Sequence, residues 1–233
     1  MIRRVALACV LVAAALGGVV SESWAQPKVR SGLIIPRDNM FRRQGYIQPE
    51  QWLNLAAADT DYVASVLPGP VASDTTISIT FSELTVPRGI SLTLSGTNTN
   101  VDASTVTITG LNWARQTITE DFALDVNMPD TTLYGLKAFL DVTTVDMEQQ
   151  DGANVKVSLG ISNVCGLPVC SPVNGVQDVW VSGTKDTAPT VAVHATSLDQ
   201  NTITFYTAPN GTNDYMFWEY VPPFASTTGV TIW

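Results

Sequence analysis

Residues 104–145, STVTITGLNWARQTITEDFALDVNMPDTTLYGLKAFLDVTTV, decide the fold class. Val106 and Ile108 alternate with Thr105, Thr107 and Thr109, and Gly110 opens a connection through Asn112 to Arg115. The chain returns with Ile118, Phe122, Leu124 and Val126 on one parity and Thr117, Thr119, Asp121, Ala123 and Asp125 on the other. Period-two alternation on both sides of a Gly-containing turn predicts a β-hairpin with one buried face. Pro129 and Asp130 break the strand, after which Tyr134, Leu136, Ala138, Leu140 and Val142 resume the alternation as a third neighbouring strand. Three such strands suffice to start an antiparallel sheet. On this pattern Val106, Ile108, Ile118, Phe122, Leu124, Leu136, Leu140, Val157 and Leu159 are expected to be buried.

Outward from this stretch the same pattern recurs. Strands are predicted around Val63–Val66, Ile77–Phe81, Ile90–Leu94, Val155–Ile161, Val176–Val181, Thr190–Ala195, Thr202–Tyr206 and Tyr215–Val221, with Pro68-Gly69-Pro70 and Pro222-Pro223 as stops. About ten evenly spaced strands with little helical periodicity predict an all-β, antiparallel β-sandwich or jelly-roll-like domain. A short helix is expected only from Pro49 to about Ala58, where Pro opens a first turn and Trp52 docks on the sheet. No repeat of 20–50 residues points to a solenoid or propeller.

The N-terminal quarter differs. Residues 1–25 resemble an export signal: Arg3-Arg4, an apolar run from Val5 to Val20, and Ser23-Trp24-Ala25 before Gln26. The run is short for a membrane span, and no stable membrane association is expected. An anchored N-terminal helix and a translation start at Met40 are the alternatives. Residues 26–50 carry Pro27, Pro36 and Pro49 without sustained periodicity and are expected to form an extended basic arm, with the β-sandwich domain spanning 51–233. Seven of the chain's twelve basic residues precede Gln44, although the net charge is −9. The acidic body argues against nucleic-acid binding.

Chemistry is sparse. No triad spacing, HExxH, P-loop or GxGxxG is present, so no enzyme, cofactor or metal is expected. His194 is the single histidine and reads as an ordinary strand residue. The acidic pairs Glu120-Asp121, Asp146/Glu148 and Asp59/Asp61 read as solvated turn residues. Cys165 and Cys170 bracket Gly166-Leu167-Pro168-Val169, and in an oxidising compartment a disulfide between them would staple the loop by roughly 2–3 kcal/mol at most. Trp52, Trp113, Trp180, Trp218 and Trp233 could supply a sugar-stacking platform, with core and interface roles as the alternative.

From about Leu84 to Val221 the order of short motifs resembles tailed-bacteriophage virion structural proteins of the capsid-decoration or head-fibre-base type. The matching words are Val86-Pro87-Arg88-Gly89 before Ile90-Ser91-Leu92-Thr93, then Thr105–Gly110 with Asn112, and Thr117-Ile118-Thr119-Glu120. Gly135-Leu136-Lys137-Ala138-Phe139 with Val142-Thr143 follows, then Val155–Gly160 with Gly166-Leu167-Pro168. Ala188-Pro189-Thr190-Val191, Asn201–Phe205 and Asn210-Gly211 complete the series. The resemblance implies a non-enzymatic virion protein that decorates or stabilises a capsid or forms a head-fibre base, with the major capsid protein or another shell protein as partner. The leader and the cysteine-bracketed loop depart from that pattern and favour the alternative, a periplasmic or secreted β-sandwich for adhesion or carbohydrate binding.

A homo-oligomer, most simply a trimer, is expected. Leu33, Ile34, Ile35 and Phe41 in the arm need a surface to cover them, Arg42 and Arg43 complement an acidic body, and Trp218, Tyr220, Phe224 and Trp233 make the C-terminus aromatic enough for an interface.

Overall fold

The structure is a computed structural model and describes residues 45–223 with the exception of residue 153. The arm positions Leu33, Ile34, Ile35, Phe41, Arg42 and Arg43, the tail positions Phe224 and Trp233, and the leader all lie outside the described residues. Those described are all-β. Fourteen strands follow one another: β1 (Tyr46–Trp52), β2 (Asp59–Pro68), β3 (Thr75–Ser78), β4 (Arg88–Gly96), β5 (Ser104–Leu111), β6 (Thr117–Leu124) and β7 (Thr131–Phe139), then β8 (Asp141–Met147), β9 (Val155–Gly166), β10 (Val176–Val181), β11 (Thr184–Lys185), β12 (Thr190–Ala192), β13 (Thr202–Thr204) and β14 (Tyr215–Val221).

Every ladder is antiparallel, and the strands form three sheets. Sheet I has the order β1-β14-β10-β11, sheet II β12-β13-β9-β4-β7 with β2 also on β9, and sheet III β3-β8-β5-β6. The twelve-residue strand β9 is the spine. One of its edges carries β4 along most of its length, and its other edge is shared in sequence by β2 near Lys156–Ile161 and β13 near Val164–Gly166.

Sheets II and III enclose an aliphatic core. Ile90, Leu92 and Leu94 of β4 and Val155, Val157, Leu159 and Ile161 of β9 meet Val106 and Ile108 of β5, Phe122 and Leu124 of β6, and Val142, Val145 and Met147 of β8. Alternation places these residues on one face of each strand, so each strand buries a continuous apolar stripe. A second core lies between sheet I and the far end of sheet II. There Trp52, Tyr215, Phe217, Val179 and Val181 pack on Cys165, Leu167, Ile203 and Phe205. Trp52 meets Phe217 edge-on at 4.9 Å between ring centroids and Phe205 at 5.9 Å.

Arg88 sits at the seam between the cores, only 2% exposed. Its neighbour in β4 two residues on, Ile90, faces the aliphatic core, while Val86 faces the aromatic one. The guanidinium donates from Nε to the Ser162 carbonyl at 3.1 Å and from Nη1 to the Ala56 carbonyl at 2.8 Å, with Nη2 also on Ser162 O. The β4–β9 register shifts between Arg88 and Ile90, so the strands kink where they pass from one core to the other.

The hairpin over 104–124 forms as the alternation predicts, in unbroken register from Ser104↔Leu124 to Leu111↔Thr117. Its turn is built by Asn112, not Gly110. Asn112 Oδ1 accepts from the amides of Ala114 (2.9 Å) and Gln116 (3.0 Å), and Arg115 takes φ +59°. Gly110 stays in the strand, where a Cβ would overlap the Asp141 carbonyl at the β7–β8 corner.

Two expectations are corrected. The third strand is two strands: β7 crosses to sheet II beside β4, and β8 returns to sheet III on the edge of β5 opposite β6. Glu120 Oε1 accepts both the Leu136 amide (2.6 Å) and the Lys137 amide (3.1 Å), which bulges β7 and resets its parity. Leu136 is therefore 80% exposed and Tyr134 66%, while Ala138, Phe139 and Leu140 are buried in succession. Ile118 is half-buried; the other expected core positions are buried. The second correction is the helix at Pro49. Residues 46–52 pair with β14 over their whole length, from Tyr46↔Val221 to Trp52↔Tyr215. Pro49 is tolerated because β1 is an edge strand, with no second ladder to lack its N–H.

Candidate functional site

Sheet I has two faces of different character. On β14, Tyr215, Phe217, Glu219 and Val221 point inward, and Met216, Trp218 and Tyr220 point outward. The outward residues join Ile47 of β1 and Gln177, Asp178 and Trp180 of β10 around an open groove of about 600 Å³. In the ladders Gln177 lies opposite Trp218 and Trp180 opposite Met216, so the two indoles occupy adjacent strands. A register shift between Gln177 and Trp180, with Asp178 at φ +43°, makes the concavity. Asp178 is paired with Lys185 Nζ at 2.6 Å, an exposed contact that fixes the rim more than it stabilises the fold.

Of the five tryptophans named from sequence, Trp180 and Trp218 share this groove. Trp52 and Trp113 do not: Trp52 is buried in the aromatic core, and Trp113 comes from the β5–β6 turn to pack on it at 6.4 Å. Trp233 lies outside the described residues. Of the candidate interface residues, Trp218 is half-buried and Tyr220 exposed, both on the outer face.

The inner face carries a feature that motif searching missed. Glu219 is 3% exposed, and its Oε2 has no hydrogen-bond partner among the described residues. It lies opposite Gln48 and one inward position from Glu50, whose Oε1 accepts from Gln48 Nε2. Burial, reinforced by the Glu50 charge, pushes the Glu219 carboxyl up to about 8. Burial also raises Glu50, against the hydrogen bond from Gln48. The signal was present in the parity of Tyr215-x-Phe217-x-Glu219-x-Val221, which puts a carboxylate on an apolar stripe.

Cys165 and Cys170, the pair for which a disulfide is expected in an oxidising compartment, are free, buried thiols in this structure. Cys165 faces the aromatic core, whereas Cys170 Sγ donates to the His194 carbonyl at 3.0 Å. The loop between them is tied to two other segments, by Gly166 N–H to Pro87 O (2.8 Å) and Leu167 N–H to Asn201 O (2.7 Å). Burial lifts the Cys165 thiol to about 11 and raises Cys170 as well, which keeps both protonated and poor nucleophiles.

His194 follows β12, and its Nδ1 accepts from the amides of Thr196 (3.3 Å) and Ser197 (2.9 Å). Asn201 completes that corner through Nδ2 to His194 O at 2.8 Å and Oδ1 from His194 N–H at 3.0 Å. The acidic pairs are structural or solvated: Glu120 ties β6 to β7, Asp59 accepts from the Asp61 amide, and Asp146 and Glu148 line a small cleft with Asp74 and four threonines. Among the described residues no group of three or more His, Cys, Asp or Glu is placed to hold a metal ion, and no helix is long and apolar enough to cross a membrane.

No protein-family model matches the chain, and it has no significant match among curated proteins or solved structures.

Proposed function

We propose that this protein is a non-enzymatic structural component of a virion-type shell, decorating or bracing the shell or seating a head fibre, and that it attaches through the outer face of sheet I. The observation that carries this reading is the groove of Ile47, Trp180, Met216 and Trp218. Aromatic and Met side chains around a concavity are the composition of an interface core, and a polar rim such as Gln177 and Asp178 gives register to a protein partner. The order of strand motifs that resembles phage virion proteins supports the same assignment. Charge supports assembly: after residue 44 the chain has five basic residues against nineteen acidic ones, while the preceding residues are net basic, so copies can meet with complementary charge. The partner is the major capsid protein or another shell protein, and the assembled form is a homo-oligomer, most simply a trimer.

The test is co-sedimentation of the full-length protein with particles assembled from a major capsid protein, together with sedimentation velocity of the protein alone. Binding that Trp180→Ala and Trp218→Ala each weaken at least tenfold supports the proposal. A full-length protein that stays monomeric and ignores the particles overturns it. One observation favours a second reading: two indoles beside an amide and a carboxylate also suit the apolar face and hydroxyls of a sugar. An exported adhesion or carbohydrate-binding protein would show glycan-dependent quenching of tryptophan fluorescence, lost in the same two variants.

A further inference from the structure

The inner face of sheet I holds two carboxylates that no Lys or Arg among the described residues pairs with. Glu219 is buried, with an oxygen left without a partner among the described residues, and Glu50 is its diagonal neighbour across the β1–β14 ladder. The titratable groups that face Glu219 are Glu50 and Tyr46, both from β1; on its other side β10 presents Val176 at the paired position.

The strand that carries Glu50 is an edge strand of the sheet. β1 has a single ladder, to β14, and its anchorage is uneven. Trp52 at its end is locked among Phe205 and Phe217, whereas Tyr46 and Ile47 at its start are largely exposed. The carboxylate pair lies between the firm end and the loose one.

We propose that β1 is a proton-sensitive latch: a proton held by the Glu50–Glu219 pair keeps the strand closed on β14, and its loss loosens the strand. Opening brings both carboxylates to water, where they ionise at no cost; the closed strand must either keep a proton or bury a repelling pair. Because burial raises Glu219 to about 8 from an ordinary value near 4.5, the closed form binds the proton more tightly than the open form. Closure is therefore fully favoured below the open-state value and weakens as pH rises, levelling off above about 8. The opening equilibrium rises by up to about tenfold per pH unit across that window.

The experiment is amide hydrogen exchange on the full chain from pH 5 to 9.5, normalised for intrinsic exchange rates, with β4 and β9 as internal references. The expected result is that protection of Gln48, Glu50 and Trp52, whose amides face β14, stays below that of β4 and β9 at every pH and falls by about ten- to fiftyfold between pH 6 and pH 8. Glu219→Gln, which keeps the shape and removes the charge, should flatten the β1 profile, and Glu50→Gln should reduce its slope. β1 protection that does not change with pH overturns the latch. So does β1 protection equal to that of β4 and β9 at every pH, which would make its exchange global, or a fall that persists unchanged in Glu219→Gln. If that variant fails to fold, the wild-type profile and Glu50→Gln decide between the same outcomes.

Discussion

The two cores of this domain are built on different terms. The aliphatic core fills the space between sheets II and III with Ile, Leu and Val at alternating positions, and its charged residues stay outside. The aromatic core under sheet I packs large rings at angles and admits Arg88 at its border and Glu219 on its own face. Aliphatic stripes need only correct parity to bury well. Ring packing needs particular contacts from distant segments, and the polar groups beside it raise the cost of each mismatch. The first core is a scaffold. The second is where the candidate surface and the proposed latch are found.

The comparison can be broken most directly by truncating one large ring in each core. Phe122→Ala and Phe217→Ala should each lower the unfolding free energy by about 3–5 kcal/mol, read from denaturant midpoints at constant slope. Both are expected to shift one transition, because β4 and β9 run through both cores; a separate early transition in Phe217→Ala would show that the cores melt independently. Arg88→Met tests the seam. It leaves the Ser162 and Ala56 carbonyls without their donor and should cost about 2–3 kcal/mol, whereas a neutral result would mean that burial of the charge already cancels its hydrogen bonds.

Acidity distinguishes the cores further. Glu219 titrates near 8 in the fold and near the ordinary carboxylate range unfolded, so the unfolded chain loses its proton first as pH rises. Stability should therefore fall between about pH 4.5 and 8, by on the order of 1–3 kcal/mol. Glu219→Gln should remove that slope and leave the protein more stable than wild type at pH 8.5. A Glu219→Gln profile parallel to wild type would assign the slope to other groups. The smallest stability effect is expected at the groove: Trp180→Ala and Trp218→Ala should stay within about 1 kcal/mol of wild type while losing partner binding. A larger loss would make those rings part of the fold instead of a surface.

The difference between the cores also explains what could be read in the sequence. β4, β5, β6 and β9 were legible because each is a run of strict alternation whose partner lies on a neighbouring strand or across one shared core. β1 was not. Pro49-Glu50-Gln51-Trp52 satisfies the local rule for a helix start, and only pairing with β14, far along the chain, makes it a strand. β7 failed for a comparable reason: the Glu120 carboxylate captures two successive amides and flips Leu136 to solvent, an event that hydropathy cannot register. Trp180 and Trp218 were recognised by residue type, but which tryptophans share a face depended on the parity of β14 and on the bulge in β10. Glu219 was legible in principle and was passed over because no motif contains it.

The ladder that joins β1 and β14 has a mechanical consequence. Tyr46 and Val221 are partners, so the segments leading away from β1 and β14 depart from the same end of sheet I. Tension that draws those segments apart loads the hydrogen bonds between the two strands singly, beginning at Tyr46, and peels β1 as a zipper toward Trp52. Tension applied to both segments in one direction spares the ladder and distributes load over the sheet. Held by both ends to one surface, the domain is stiff; pulled between two surfaces, it yields first at β1, and the rings around Trp52 are where the tear stops.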